Sequence, residues 1–316
     1  MLTATQPVSS TFPAKIHFIW VGGPIPEHYL RSIQRLAIAA KKTGIEVSLW
    51  TDAQAHYERT AEKLAMSMPD NFRVRDIHEL DTGMQRDSFY QQDKRYERFW
   101  SYINREMVGL KNLAAASDIL RYEILRQEGG YYFDTDTEFY LDENTILKLD
   151  NVDYGFKKIG HLSREGAEGG NDIMAAVPGH AILERALLLV FERYRDLDTQ
   201  GPLSQSIHQT MDDKRKLAEF MFHGRRPLTI ELSGPGVMRD AMKSYMTTFL
   251  PPYPPLEKKW DKSPSAREFA RKLAEFRIQL AAYEAQNPKR KLFFTGDRVL
   301  DIKVVSHSFR SNMAYA

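Results

Sequence analysis

The stretch that constrains this chain most is GGYYFDTDTEF, residues 129–139, where three aromatic residues lead into two aspartates. The aromatic run predicts a buried strand, and Asp134 and Asp136 stand at its end with one residue between them. On a regular strand, alternate residues face the same side, so these carboxylates would repel each other and raise each other's pKa. A hard divalent cation bound by carboxylate oxygens relieves that repulsion. An isolated Asp-x-Asp is most often a surface turn, but the preceding GGYYF makes a turn less favourable here.

The elements that precede this stretch predict a parallel sheet. Residues 15–23 (KIHFIWVGG) are an apolar run stopped by two glycines, residues 27–43 have helical periodicity, and residues 44–52 are a second apolar run. A strand, helix, strand order is typical of α/β proteins with parallel strands. Ligands of such sheets bind outside the carboxyl ends of the strands. We therefore expect the two aspartates at an edge that suits a metal–diphosphate.

The rest of the chain predicts one domain with additions. We expect a polar tail over 1–14, a single domain over 15–316, a mostly helical insertion at about 53–110 and a C-terminal active-site tail at about 304–316. The other predicted elements are a helix at 112–130 in which Ser117 or Asp118 could cap an inner turn, strands at 153–158 and 171–178, two helices over 179–222, a strand at 227–236 that runs into a glycine turn, a charged surface helix at 264–285 and a strand before the C-terminal tail.

Composition excludes several classes of protein. The 44 basic and 42 acidic residues give a formal net charge of +2, which argues against bulk nucleic-acid binding. The chain has no cysteine, so a metal would be bound by oxygen or imidazole. There is no apolar run of about 18 residues to predict a transmembrane segment, and the polar start lacks the features of a signal peptide. Such a start is compatible with specialised bacterial secretion and with a cytosolic protein alike.

The predicted helix NLAAASDILR carries a second candidate group. Asp118 and Arg121 are three residues apart and therefore lie on one helix face. They could form an ordinary ion pair within the helix. Alternatively, Asp118 accepts hydrogen bonds from sugar hydroxyls, while the Arg121 guanidinium donates hydrogen bonds to a hydroxyl or phosphate. The alanines at 114–116 would let backbone and ligand approach closely.

Several blocks of the sequence together resemble a known family. IHFIWVGG, NLAAASDILR, GGYYFDTD and LSGPG occur in the order found in the glucosyltransferase domains of the large clostridial toxins, and more loosely in other DXD-motif sugar transferases. The matching blocks cover 16–23, 112–139 and 230–236, with a weaker block near 168–175. The resemblance implies a GT-A fold: an α/β, Rossmann-like, mostly parallel central sheet with helical insertions. It also implies a nucleotide-sugar donor.

By position, the resemblance also implies roles for individual residues in the donor site. Trp20 would lie against the base, Asp118 and Arg121 would hold the donor sugar, and Tyr132 would support the ribose or phosphate region. Asn171 would approach the transferred sugar. Core packing is the competing interpretation for Trp20, and a turn after two glycines is the competing one for Asn171. The SGPG segment is interpreted as a turn at the sheet edge without a role in the chemistry.

Roles at the metal and diphosphate follow from the same resemblance. Asp134 would contact ribose, sugar or metal-bound water, and Asp136 would bind Mn²⁺ or Mg²⁺ directly. The toxin domains carry a Ser and a Trp on a C-terminal loop, whereas this chain has VVSHSFRSNM without Trp. His307 is the candidate third ligand, because a C-terminal His completes the metal site in other GT-A enzymes. Ser308 would help to neutralise the diphosphate, and Phe309 stands in the region where the Trp is missing.

The resemblance implies a metal-dependent, retaining transfer of glucose or N-acetylglucosamine from a UDP-sugar to an acceptor hydroxyl. In such enzymes a front-face route, in which the leaving phosphate takes the acceptor proton, needs no protein base. We expect an effector-like enzyme, cytoplasmic in its producer and secreted or translocated into a host cell, that modifies a protein. Two alternatives stay open: a bacterial enzyme that decorates a glycan or small molecule, and a non-catalytic nucleotide-sugar-binding module. A metal-dependent phosphohydrolase fits the helix-plus-strand context poorly.

Overall fold

The computed structural model of the chain describes residues 12–150, 152, 154–158, 169–200, 225–246 and 298–306, together with helical residues scattered between 268 and 286. The strands are β1 Lys15–Ile19, β2 Glu46–Thr51, β3 Phe72–Asp76, β4 Gly130–Phe133, β5 Glu138–Phe139, β6 Tyr154–Lys158, β7 Gly169–Ala176, β8 Arg298–Val299 and β9 Ile302–Val305. The helices are α1 Glu27–Lys41, α2 Ala55–Lys63, α3 Leu80–Arg86, α4 Ser88–Gln91, α5 Arg95–Asn104, α6 Leu113–Glu128, α7 Ala181–Gln200, α8 Arg225–Leu232 and α9 Pro235–Met246, with a 3-10 turn at Ile77–Glu79 and a π-helical turn at Arg105–Gly109.

Six of these strands form the central sheet, in the order β3-β2-β1-β4-β7-β6. The first four are parallel neighbours, β7 runs antiparallel to β4, and β6 runs antiparallel to β7. Five strands therefore point one way and β7 points the other. The predicted α/β fold class with a mostly parallel sheet is confirmed. Because β7 is reversed, its first residues lie at the edge where β4 ends.

Alternating side chains of β4 divide the core between the two faces of the sheet. Tyr131 and Phe133 pack on the face covered by α1, whose buried residues recur at helical spacing. Tyr132 points to the opposite face and packs in the cluster that contains α6, α7 and α9. Each fully buried large apolar side chain contributes about 1.5–3 kcal/mol to the stability of the fold. The aromatic run GYYF is thus buried on both faces, as a central strand requires.

A small sheet of order β5-β9-β8 joins the C-terminal part of the chain to the segment that follows β4. Glu138 is paired with Val305, and Phe139 with Val304. Glu138 lies two residues after Asp136 in the chain, so the end of β9 is paired with the segment that directly follows the aspartate turn, and Ser306, the last described residue, comes next. The predicted strand before the C-terminal tail is confirmed.

Several predicted elements differ from the structure. Residues 72–76, placed in the helical insertion, form β3 at the edge of the central sheet, where polar side chains are tolerated and hide the strand pattern. Residues 225–232 form a helix instead of the predicted strand, and Pro227 fits there because it lies in the first turn. The side chain of Asn112, not Ser117 or Asp118, caps α6 by accepting from the Ala115 N–H.

Other predictions are confirmed where the structure describes them. The helix at 112–130, the strands at 153–158 and 171–178, and the first of the two helices over 179–222 are present as α6, β6, β7 and α7. The second helix of that pair lies outside the described residues, as do His307, Ser308 and Phe309. The described residues of the predicted helix at 264–285 are helical.

Candidate active site

The two aspartates lie on a turn directly after β4. The Asp134 N–H donates to the Asp172 carbonyl at 2.9 Å, and the Thr137 N–H donates to the Asp134 carbonyl at 3.0 Å. That second bond closes a turn with Asp136 inside it. The two aspartates are therefore not on a regular strand, as the alternation argument assumed, so their separation is set by the turn. Both side chains are half-buried at the carboxyl edge of the sheet.

Asp134 is held in place by two donors of the buried core. The Tyr132 hydroxyl donates to its Oδ1 at 2.6 Å, and Arg121 Nη1 lies 3.0 Å from the same oxygen. The Arg121 guanidinium also lies 4.6 Å from the centre of the Tyr132 ring. This network fixes the direction in which Asp134 faces. The structure thus brings Arg121, Tyr132 and Asp134, predicted from separate motifs, into direct contact.

Arg121 links the helix to the sheet. Its Nη2 lies 3.2 Å from Asp118 Oδ1, and its Nη1 donates to the Asn171 carbonyl at 2.7 Å. Burial by itself lowers the pKa of this guanidinium, but the neighbouring charges, Asp134 first among them, raise it above its ordinary value. Arg121 is therefore a permanent cation that balances two carboxylates inside the site.

Asp118 is a buried carboxylate that accepts three hydrogen bonds or ion-pair contacts. Its Oδ1 receives Asn171 Nδ2 at 2.7 Å and Arg121, while its Oδ2 receives the Ser233 hydroxyl at 3.3 Å. Burial raises the pKa of Asp118 to about 6, because desolvation of the charge outweighs the attraction of Arg121. Asp118 is thus an oriented acceptor whose charge is sensitive to pH near neutrality.

Asn171 reaches the site because β7 runs against the other strands. Phe133 is paired with Ile173, so Asn171 lies just beyond the end of β4. Its Nδ2 also lies 3.1 Å from the hydroxyl of Tyr122, a fully buried residue of α6. Asn171 is therefore part of the Asp118 network, and its interpretation as a simple turn residue is wrong.

Ser233, Gly234 and Tyr122 belong to the same network and were not predicted. The Tyr122 hydroxyl lies 2.7 Å from the Ser233 carbonyl and 3.1 Å from the Gly234 carbonyl. Together with the bond from Ser233 to Asp118, these contacts fix the junction between α8 and α9 against α6. The motif LSGPG was the signal in the sequence, but nothing local to it indicated a partner in α6.

Trp20 follows β1 at the same edge of the sheet and is half-buried. Its indole N–H donates to the Gly23 carbonyl at 2.9 Å, and its ring centre lies 5.6 Å from that of Tyr29. Burial raises the pKa of the Tyr29 phenol, and the charge of Asp136 raises it further. Tyr29, the neighbour of Trp20, is therefore close enough to Asp136 to feel its charge. Tyr29 is a second residue that the sequence motifs did not single out.

The donor set at this edge fits a hard cation bound in an open site. Carboxylate oxygens are the ligands that Mg²⁺ and Mn²⁺ prefer. Asp134 Oδ1 is engaged by Arg121 and Tyr132. Within the described ranges, no three His, Cys, Asp or Glu side chains come together as a complete metal site. A cation here would also need ligands from a substrate or from residues outside those ranges.

Sequence comparison relates this arrangement to a known class of enzyme. A sequence model of the family described as the TcdA/TcdB catalytic glycosyltransferase domain matches residues 58–139, which include α6 and the aspartate turn. A curated relative, Subversion of eukaryotic traffic protein A of Legionella pneumophila, is 26% identical over 235 residues, which are 72% of this chain and 31% of that protein. The chain thus spans about a third of the relative's length. These matches confirm the predicted resemblance to the clostridial toxin domains and indicate a glycosyltransferase.

Solved structures of toxin glycosyltransferases are among the structural matches. The PaToxG glycosyltransferase is 19% identical, with 87% of this chain and 78% of that chain covered and a TM-score of 0.46. The UDP-bound glycosyltransferase domain of the YGT toxin is 14% identical, with 75% and 78% covered and a TM-score of 0.49. The catalytic domain of the alpha-toxin of Clostridium novyi is 15% identical, with 89% and 83% covered and a TM-score of 0.47.

No helix in the part of the chain that the structure describes is long and apolar enough to cross a bilayer.

Proposed function

We propose that this chain transfers a hexosyl group from a UDP-sugar to an acceptor hydroxyl, with the donor bound at the carboxyl edge of the central sheet. The observation that carries the proposal is the convergence of Asp118, Arg121, Asn171 and Asp134 at this edge, through contacts of 2.7–3.2 Å. Residues from a helix, a strand and a turn meet there beside Asp136. Such convergent polar groups are typical of a ligand site in an open α/β sheet.

In this proposal the two ends of the donor are bound by different groups. The half-buried Trp20–Tyr29 pair offers an aromatic surface to the base. Asp118 accepts from hydroxyls of the sugar, because it is buried, oriented and partly neutralised by Arg121. Asp134, which is held by Tyr132 and Arg121, contacts the ribose or the diphosphate region in this proposal. The size of the cavity around the sugar would determine whether the donor carries glucose or N-acetylglucosamine.

Asp136 would hold Mn²⁺ or Mg²⁺ directly, and His307 would be a further protein ligand. Support for His307 comes from β9, which pairs with β5 so that Val305, two residues before His307, stands opposite Glu138, two residues after Asp136. Ser308 follows in the same segment and would donate to the diphosphate. A bound cation supplies Lewis-acid stabilisation of the negative charge that develops on the leaving diphosphate.

The chemistry assigned to the site breaks the bond between the anomeric carbon and the diphosphate oxygen and forms one to the acceptor oxygen. The acceptor attacks the face from which the diphosphate leaves, so the anomeric configuration is retained. The acceptor proton passes to the leaving diphosphate, so no protein base is required. Asp118 and Asp134 are tied to Arg121 and act as oriented hydrogen-bond acceptors in this assignment, not as bases. Arg121 keeps its charge at all relevant pH values and stabilises the developing negative charge.

The acceptor in this proposal is a protein of a host cell, modified after the enzyme is translocated from its producer. The name of the Legionella relative refers to subversion of eukaryotic traffic, and the matching family is a toxin family. These similarities support an effector-like role.

The test is release of UDP or GDP from a panel of nucleotide sugars with Mn²⁺, compared between the natural chain and Asp136→Ala. We expect release from one UDP-hexose, with kcat/KM lowered about 1000-fold in the variant, because a Lewis-acid contact contributes several kcal/mol in the transition state. Asp142→Ala is the matched control, since this exposed carboxylate accepts hydrogen bonds from Asn144 and Thr145 of its own loop. Removal of metal by a chelator should abolish release in the same way.

Each alternative outcome has a definite meaning. Tight donor binding without release, even with acceptor-rich host lysate, would favour a non-catalytic binding module. Release that is unchanged in Asp136→Ala would refute the assigned metal ligand. An absence of binding for every nucleotide sugar would refute the proposed function. Inversion of the anomeric configuration in the product would refute the front-face route and require a carboxylate base.

A further inference from the structure

Asp118 has one acceptor position that its neighbours do not fill. A carboxylate offers about four lone-pair positions. Among the described residues, Oδ1 is contacted by Arg121 and Asn171, whereas Oδ2 is contacted by Ser233 alone. The oxygen with remaining capacity is therefore Oδ2, and Ser233 is the residue that orients it.

Gly234 keeps the space beside that oxygen open. A Cβ at this position would lie 3.2 Å from Asp118 Oδ2 and 3.1 Å from the Thr229 carbonyl. Both distances are tighter than ordinary van der Waals contact, and the second involves backbone that cannot swing away. Any side chain at Gly234 would therefore press on Oδ2 or displace the junction between α8 and α9.

The junction between α8 and α9 is held by contacts with Asn112 and Tyr122 and by a contact between two of its own residues. Asn112, the cap of α6, donates to the Thr229 hydroxyl at 2.9 Å, and the Ser233 hydroxyl also lies 3.4 Å from the Thr229 carbonyl. Tyr122 holds the carbonyls of Ser233 and Gly234 from inside the core. The position of the Ser233 hydroxyl is thus determined by α6, the helix that carries Asp118. Such support from rigid elements is what a precise binding group requires.

We propose that Ser233 and Gly234 determine how Asp118 recognises the donor sugar: Ser233 as a positioning residue that directs Oδ2 toward a sugar hydroxyl, and Gly234 as the residue that leaves room for that hydroxyl. This inference rests on the proposed function, because it assigns the sugar to Asp118. It adds that the junction between α8 and α9 acts on the sugar and not on the nucleotide. The ligand chemistry is a hexose with a free hydroxyl donor at Oδ2.

The proposal predicts a selective change in binding. We expect Ser233→Ala to reduce the gain in affinity of the UDP-hexose over UDP about tenfold, since a hydrogen bond to a charged group is lost and the carboxylate gains freedom. Affinity for UDP itself should not change. Gly234→Ala should reduce the same gain at least as much. Ser48→Ala is the matched control, because Ser48 is equally buried but lies in β2 and contacts Glu46.

Isothermal titration calorimetry with UDP and with the UDP-hexose that the natural chain turns over measures the two affinities. Their ratio is the gain in affinity that the sugar provides. An unchanged ratio in both variants would overturn the inference and leave the proposed function intact. Equal weakening of UDP and UDP-hexose would assign the junction a purely structural role and also overturn it. Where Ser233→Ala does not fold, Ser233→Cys keeps the side-chain size with a weaker donor, and the same drop in the ratio is expected. A natural chain that binds no UDP-sugar would refute the proposed function first, and this inference with it.

Discussion

Helix α6 carries two buried pairs of an acid and an arginine, each three residues apart, and only one of them lies in the candidate active site. Asp118 pairs with Arg121, and Glu123 pairs with Arg126. Glu123 accepts from Arg126 at both oxygens, from Tyr90 at 2.7 Å and from Gln127 at 2.6 Å. All four of its acceptor positions are therefore used within the protein, whereas Asp118 uses three.

The neighbours of the two arginines also differ: those of Arg126 close its network within the protein, whereas those of Arg121 lie at the sheet edge. The Arg126 guanidinium is completed by Asp87 at 2.6 Å and lies near the Phe89 ring, so this pair ties α6 to the insertion helices α3 and α4. Arg121 instead reaches the carbonyl of Asn171 and the half-exposed turn at Asp134. A closed network stabilises the fold, and a network with one open acceptor can bind a ligand. The spacing along the helix does not distinguish the two.

The largest expected difference between the pairs concerns stability. Arg126→Ala should lower the free energy of unfolding by about 3–5 kcal/mol, because it leaves the fully buried Glu123 without its cation. Arg121→Ala should cost less, since Asp118 can take up a proton and Asp134 is partly solvated. Denaturant unfolding followed by circular dichroism measures both. A greater loss in Arg121→Ala would contradict the assignment of Glu123–Arg126 as the structural pair.

A second difference should appear in activity. Asp118→Asn should lower kcat/KM for the UDP-hexose about 10- to 100-fold, because a charged acceptor for the sugar becomes a neutral amide with donors of its own. Glu123→Gln makes the same chemical change in the other pair, and its folded fraction should retain the activity of the natural chain. The measurement is initial rates normalised to folded protein. Similar losses in both variants would show that the two pairs act alike.

The smallest expected effect is the pH dependence of sugar recognition. Asp118 has a pKa raised to about 6, so it takes up a proton and loses its charge as the pH falls below that value. The affinity gain of the UDP-hexose over UDP should therefore fall about tenfold between pH 7 and pH 5.

Stability should move in the opposite direction, by the same linkage. The raised pKa means that the contribution of Asp118 to the free energy of unfolding is present below pH 3.8 and is lost as the pH rises through about 6. The Asp118→Asn variant tests whether Asp118 is the group that titrates. Its gain in affinity for the UDP-hexose over UDP should stay constant between pH 7 and pH 5. If this gain still falls in the variant, another group is responsible.

Local patterns in the sequence predicted much of the site. Continuous apolar or aromatic runs predicted β1, β2 and β4, because central strands are buried on both faces, and helical periodicity predicted α1. The chemistry of paired carboxylates drew attention to Asp134 and Asp136, and the family resemblance added Asn171. The strand pattern failed at 225–232, where Thr229 and Ile230 favoured a strand but packing against α6 and α9 made a helix.

What the sequence determined by itself was the order of elements and the residue types that end the strands, since both depend on neighbours within a few positions. The tertiary structure decided which acid–arginine pair faces the sheet edge, that β7 runs in reverse and so delivers Asn171, and that Ser233 meets Asp118 across 115 positions of chain. Those contacts follow from how the apolar faces of distant helices and strands pack together. No local period encodes that packing, because the energy of burial depends on the partner surface and not on the distance along the chain.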